Sequence, residues 1–197
     1  GASNNIPLAV RLSGALDVAA LRAAIGDLVA RHEILRTSYP EHDGVGSQRV
    51  YAVSEPVAVP ELPVLEVTEA EILEATAAVV GAGFDVTAAP PIRLRLLRLS
   101  ETEHVLVCVV HHIAADGSSM LPLTADLMTA YSARVGGAAP GWEPLPLQYA
   151  DFTLWQRETL GGENDPDSIL ARQIGFWRNR LADLPEKLDL PADRPRP

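Results

Sequence analysis

The sequence predicts an α/β (α+β) sandwich, a sheet covered by helices, and three observations point to it. The run "VLVCVV", Val105 to Val110, is apolar at every position, so both faces of that strand need cover. "IRLRLLRL", from Ile92, alternates apolar residues with arginine, the pattern of a strand with one face buried. Leu21, Ile25, Leu28 and Val29 recur at helical spacing and give one apolar helix face.

The elements follow in order. Residues 6–12 read as a strand, and Asp17 caps the helix in "LDVAALRAAIGDLVARHEILR". Residues 34–39 read as extended, "EHDGVGS" as a turn and "QRVYAV" as the strand returning from it. Residues 54–63 hold three prolines and read as a loop. A helix from about Glu69 to Gly81 ends in "GAGFD", whose glycines suit a helix stop. The two sheet strands above come next. A helix then starts just after Gly117, with Met120, Leu123, Leu127 and Tyr131 as its inner face. "GGAAPGWEPLP" is a loop, and "QYADFTLWQRETL" and "SILARQIGFWRNRLADL" are two more helices. The final "LPADRPRP" is too rich in proline to continue a helix.

Composition narrows the function classes. A net charge of −10 over 197 residues, with no basic cluster beyond short arginine pairs, argues against nucleic-acid binding. No apolar segment reaches the length of a membrane span, and "GASNNIPLAV" is not a signal peptide. A single cysteine, Cys108, forms no internal disulfide and reads as a packed strand residue in a cytoplasmic protein.

The chemistry concentrates in "HHIAADG", His111 to Gly117. If the strand runs to residue 112, alternation sends the two histidines to opposite faces, so they do not share a metal. No further His or Cys lies at zinc-site spacing, so no metal is expected. His111 reads as a core residue. His112 stands where a buried strand turns into a helix, the place where sites open in layered folds, and imidazole holds or delivers a proton near neutral pH. Asp116 is either a helix N-cap or a carboxylate needing a cation, with Arg31 and Arg36 of "ARHEILRTSY" as candidates. Ser118 and Ser119 read as caps of the first helical turn. With no activated nucleophile, the segment suits direct attack by a bound amine or alcohol on an acyl group.

These residues resemble a known family. "HHIAADG" is similar to the HHxxxDG motif of condensation domains in nonribosomal peptide synthetases. "RHEILRTSY", Arg31 to Tyr39, resembles that family's RHExLRTxF motif, with Tyr39 in place of Phe. "YADFTLW", Tyr149 to Trp155, resembles its YxDFAVW motif, with Thr153 and Leu154 replacing Ala and Val. "FWRNRLADLPEKLDLPADRPRP" resembles the stretch leading into the second half of such domains.

The resemblance implies a chloramphenicol acetyltransferase-like fold of two subdomains with a substrate tunnel between them. Carrier domains upstream and downstream present substrates on phosphopantetheine, and the acceptor amine attacks the donor thioester. The domain itself binds no cofactor, and a neighbouring adenylation domain is expected. His112 becomes the main catalytic residue, beside His111. Asp116 becomes structural and pairs with Arg36, with Arg31 as further support, and Gly117 lies close to substrate. Ser118, Ser119, Tyr149 and Trp155 are the tunnel candidates. Three features depart from the family pattern. Its first motif, S-x-A-Q-x-R, is absent, its later motifs are absent, and Ser118 stands where many members have Trp. The expectation is an N-terminal subdomain over residues 1–184 and a connection over 185–197 toward an absent C-terminal subdomain, with little or no activity alone. Epimerisation, non-catalytic recruitment of partner enzymes, and stand-alone acyl transfer are the alternatives. The flanking motifs favour condensation over epimerisation and stand-alone transfer, and the intact histidine pair disfavours recruitment.

Overall fold

The apolar run from Val105 to Val110 is the middle of a four-stranded sheet, which is why neither of its faces carries a charge. In chain order the first elements are β1 (Asn5–Ser13), α1 (Val18–Arg31) and four two-residue strands: β2 (Thr37–Ser38), β3 (Glu41–His42), β4 (Val45–Gly46) and β5 (Arg49–Val50). Then come β6 (Val64–Glu66), α2 (Ile72–Gly81), β7 (Ile92–Arg98), β8 (Glu103–His111) and α3 (Met120–Val135). Two further helices, α4 (Tyr149–Leu160) and α5 (Ile169–Arg180), complete the order. The computed structural model describes residues 2–185, 191 and 194, so most of the proline-rich connection expected over 185–197 lies outside the described residues. The chain divides into two compact units, Gly1–Ala150 and Asp151–Pro197.

In the first unit the sheet order is β1-β8-β7-β6. β8 pairs antiparallel with both β1 and β7, and β6 adds a short parallel edge to β7. One face carries Leu94, Leu96, Leu106, Cys108 and Val110, packed against Leu21, Ile25, Leu28 and Val29 of α1. Leu123, Leu127 and Tyr131 of α3 pack on the same cluster. The other face carries Leu97, Val105, Val107 and Val109, packed against Val79, Ile72 and Ala75 around α2. The sheet is therefore a filling between helices, as the strand patterns require. The arginine face of β7 is also used. Arg93 donates to the carbonyls of Ala82 and Gly83 at 2.9 and 2.7 Å and lies 4.2 Å over the Phe84 ring. A cation there satisfies the end of α2, where carbonyls lack partners.

Asp17 caps α1 as expected, its carboxylate accepting from the Ala20 N–H at 2.9 Å. Asp17→Ala should cost about 1 kcal/mol, read as a lower urea midpoint at unchanged slope. Two local expectations fail. Glu33–Arg36 form a 3-10 turn, and only Thr37–Ser38 are extended. The stretch read as leading from a proline loop straight to a helix contains β6, whose pairing covers only Val64, Leu65 and Glu66.

In the second unit, Ser168 caps α5, accepting from the Ala171 N–H at 3.0 Å and donating to the Gly162 carbonyl at 2.7 Å. Gly161 ends α4 with φ +73°, and a Cβ there would lie 2.8 Å from the Ser168 Cβ. That position therefore admits only glycine without strain. Leu154, Trp155, Phe176 and Trp177 are all more than half exposed.

Candidate active site

The two histidines differ in setting. His111 ends β8, half-buried, its ring 6.0 Å from Phe84 in an edge-to-face pair. Its Nδ1 accepts the Ile113 N–H at 3.1 Å. Burial, with His112 beside it, lowers its pKa, so the neutral ring is favoured. His112 lies one residue past the strand, so the expectation that alternation orients it does not hold. Its backbone N–H donates to the Asn4 carbonyl at 2.8 Å, and its side chain is exposed.

Asp116 takes the N-cap position. Its carboxylate accepts from the Ser119 N–H at 3.0 Å and the Ser119 hydroxyl at 2.8 Å. Its own N–H donates to Ser119 Oγ at 3.0 Å, closing a reciprocal capping box. These bonds, led by the Ser119 hydroxyl, hold the exposed carboxyl below its usual pKa. The expected Asp116–Arg36 pair is absent among the described residues. Arg36 donates to Glu33 Oε1 at 3.1 Å and to the Tyr51 carbonyl, which uses its charge locally. Its buried Nε has no partner among the described residues. Arg31 is not on Asp116 either. It donates from Nε to Asp126 at 3.0 Å and from Nη1 to the Glu143 carbonyl at 2.7 Å, and it lies 4.7 Å over the Trp142 ring.

Asp126 and Gln148 were not foreseen. Asp126 Oδ2 also meets His32 Nε2 at 2.7 Å. The Gln148 amide donates to the Arg31 carbonyl at 2.9 Å and accepts from the Glu33 N–H at 3.1 Å. Together they clamp the "RHE" segment between α3 and the residue just before α4. The clamp borders a cleft of about 280 Å³ between the two histidine-bearing segments. His32 and Leu35 line it from one side, Ala114, Ala115 and Ser119 from the other, with Leu123 and Tyr149 between.

The remaining candidates are placed as follows. Ser118 is exposed. Gly117 has no positive φ, and a Cβ added there would meet open space, so the fold itself does not demand glycine. Tyr39, the residue standing for Phe, has a buried hydroxyl with no partner among the described residues, and burial pushes its pKa up to about 12. Burial likewise pushes the Cys108 thiol up to about 12, which keeps it protonated and unreactive at neutral pH. Trp155 belongs to the second unit, its ring 5.7 Å from Phe152.

A condensation-domain family model matches residues 1–197. The chain is 49% identical over 193 residues to a dimodular nonribosomal peptide synthase of Bacillus subtilis, covering 98% of this chain and 8% of that protein. It is 47% identical over 194 residues to an isonitrile lipopeptide synthase of Mycobacterium tuberculosis, again covering 98% of this chain and 8% of the relative. Among solved structures, the X-domain in complex with OxyB from teicoplanin biosynthesis superposes with a TM-score of 0.88 at 44% identity, covering 99% of this chain and 42% of that one. The sandwich expected from the sequence is thus the observed fold, of the chloramphenicol acetyltransferase-like kind. The chain belongs to the condensation-domain family and carries that family's N-terminal subdomain.

Proposed function

We propose that this chain supplies one wall of an amide-forming site in nonribosomal peptide synthesis. The acceptor amine, held on the phosphopantetheine of a downstream carrier domain, attacks the thioester carbonyl of an upstream carrier. The C–N bond forms, the C–S bond breaks, the donor thiol leaves and the amine loses one proton. The observation that carries this reading is the exposed His112 imidazole at the mouth of a fully buried strand, in a chain of the condensation family. His112 accepts or orients the proton of the attacking amine. His111 packs on Phe84, and Asp116 fixes the loop through Ser119, a positioning role that needs no arginine. The open space at Gly117 supports a close approach by substrate there. Ser118, Ser119, Tyr149 and Trp155 remain candidates for the substrate path, and Arg36 and Arg31 act through the segment they brace. The opposite wall is a C-terminal condensation subdomain, with a neighbouring adenylation domain feeding the acceptor carrier in the cytoplasm. Residues 185–197 serve as the connection.

The test is turnover with one carrier loaded with donor and another with acceptor. The synthetase that holds this chain should form peptide, and the 197-residue chain alone should not. Robust product from the chain alone would overturn the one-wall reading. A second reading has a specific observation behind it, the superposition on a domain solved with a partner protein, OxyB. An intact synthetase that forms no peptide at this step but captures an enzyme partner through this domain would favour recruitment.

A further inference from the structure

Resting on the condensation reading, we propose that Phe84 is a positioning residue for the turn that carries His112. Arg93 and Asn5 hold Phe84 in place by gripping the end of α2.

The backbone around His112 shows what is positioned. Three consecutive N–H groups are tied down. That of His112 meets the Asn4 carbonyl at 2.8 Å, that of Ile113 meets His111 Nδ1 at 3.1 Å, and that of Ala114 meets the His111 carbonyl at 2.9 Å. The backbone is thereby held on both sides of His112, and backbone angles govern where its exposed imidazole points. The first and third bonds join backbone to backbone. The second depends on the His111 ring, which must turn Nδ1 back toward its own turn and keep it free of a proton, because an N–H only donates. Phe84 sets that orientation. Its ring stands at 82° to the imidazole with centroids 6.0 Å apart, an edge-to-face contact that favours one relative orientation of the rings.

Phe84 is itself placed by the sheet. Asn5 lies opposite His111 on β1, and β7, with Arg93, flanks β8 on the other side. Asn5 Nδ2 donates to the carbonyls of Val80 and Ala82 at 2.7 and 2.9 Å. Arg93 donates to the carbonyls of Ala82 and Gly83 at 2.9 and 2.7 Å, and to that of Val79 at 3.3 Å. Both neighbours of β8 therefore send a donor to one carbonyl, that of Ala82, whose two lone pairs accommodate both. A cation also suits the negative end of a helix. The end of α2 is pinned across the end of β8. Phe84, two residues beyond Ala82, lands in contact with both the guanidinium, 4.2 Å from its ring centre, and the imidazole.

The experiment pairs amide hydrogen exchange in the 197-residue chain with single-turnover peptide formation by the synthetase that holds it. Phe84→Leu keeps an apolar side chain and removes the ring. The Ile113 amide should then exchange at least roughly tenfold faster, a local opening, while the amide of Val107, fully buried in the middle of β8, keeps its rate. A merely structural loss would speed both. Turnover should fall roughly tenfold to a hundredfold, the scale of cost for displacing a reacting group by about 1 Å. Phe84→Tyr, which restores the ring, should return both readouts to their original values. Arg93→Met, which keeps the stem and loses the donors, should move both in the direction of Phe84→Leu, and it decides if Phe84→Leu unfolds. An unchanged Ile113 rate, equal acceleration of Ile113 and Val107, or unchanged turnover in a synthetase that does need His112 overturns the proposal. A synthetase indifferent to His112→Ala sinks the condensation mechanism instead, and the two exchange rates still decide whether Phe84 holds the turn.

Discussion

His112→Ala in the intact synthetase is expected to lower peptide formation by roughly 10²–10⁴-fold, the usual range for losing a positioned proton-handling group. Folding stability should stay within about 0.5 kcal/mol, as for exposed side chains generally. The separation follows from the structure. The imidazole is exposed, and the hydrogen bond from the His112 N–H to the Asn4 carbonyl is made by the backbone and survives the substitution. The measurement pairs single-turnover peptide formation from loaded carriers with a denaturant melt of the same variant. A large loss of stability would mean that His112 is structural. Unchanged turnover would mean that the proton is handled elsewhere. The companion His111→Ala should behave oppositely in kind, because its ring packs on Phe84 and takes the Ile113 N–H.

The second large effect lies in the core. Leu96 on β7 is fully buried, within the cluster that joins the sheet to α1. Leu96→Ala removes three carbons from a site where neighbouring strands cannot collapse inward, so a loss of about 2–5 kcal/mol is expected. That is a large share of a domain's usual 5–15 kcal/mol. Urea unfolding should show a lower midpoint with the slope kept. Leu121→Ala on α3 is the control. It removes the same atoms from a residue that is 78% exposed, and should change stability by less than about 0.5 kcal/mol. Equal losses at both positions would mean that the core is not where the sheet places it.

What could be read beforehand follows the range of the interactions. The centrality of β8 was legible because an all-apolar strand has one explanation, and β1 and β7 flank it as that explanation requires. The α1 cap was legible because Asp17 and Ala20 are three residues apart. The 3-10 turn at Glu33–Arg36 was missed because four residues carry no period, and Ile34 and Leu35 look extended in isolation. β6 was missed because a three-residue edge strand beside Pro63 has no pattern of its own. The site divides in the same way. The capping box of Asp116 with Ser119 is local, and the helix-cap reading of both residues anticipated it. The charge partners were not readable, since Arg31 meets Asp126 from 95 residues away and Gln148 from 117. Spacing names residue types that could pair, but it does not say which carboxylate the fold delivers.

The clamp built by Arg31, Asp126 and Gln148 also bears on recombination. A chimaera with a junction anywhere between Glu33 and Asp126 inherits the guanidinium from one parent and its carboxylate from another. A junction between Asp126 and Gln148 splits the amide from the carbonyl it grips. Residues 31–148 therefore travel as one heritable block, and a splice outside that span leaves the "RHEILRTSY" and "HHIAADG" motifs in the register that one parent selected together.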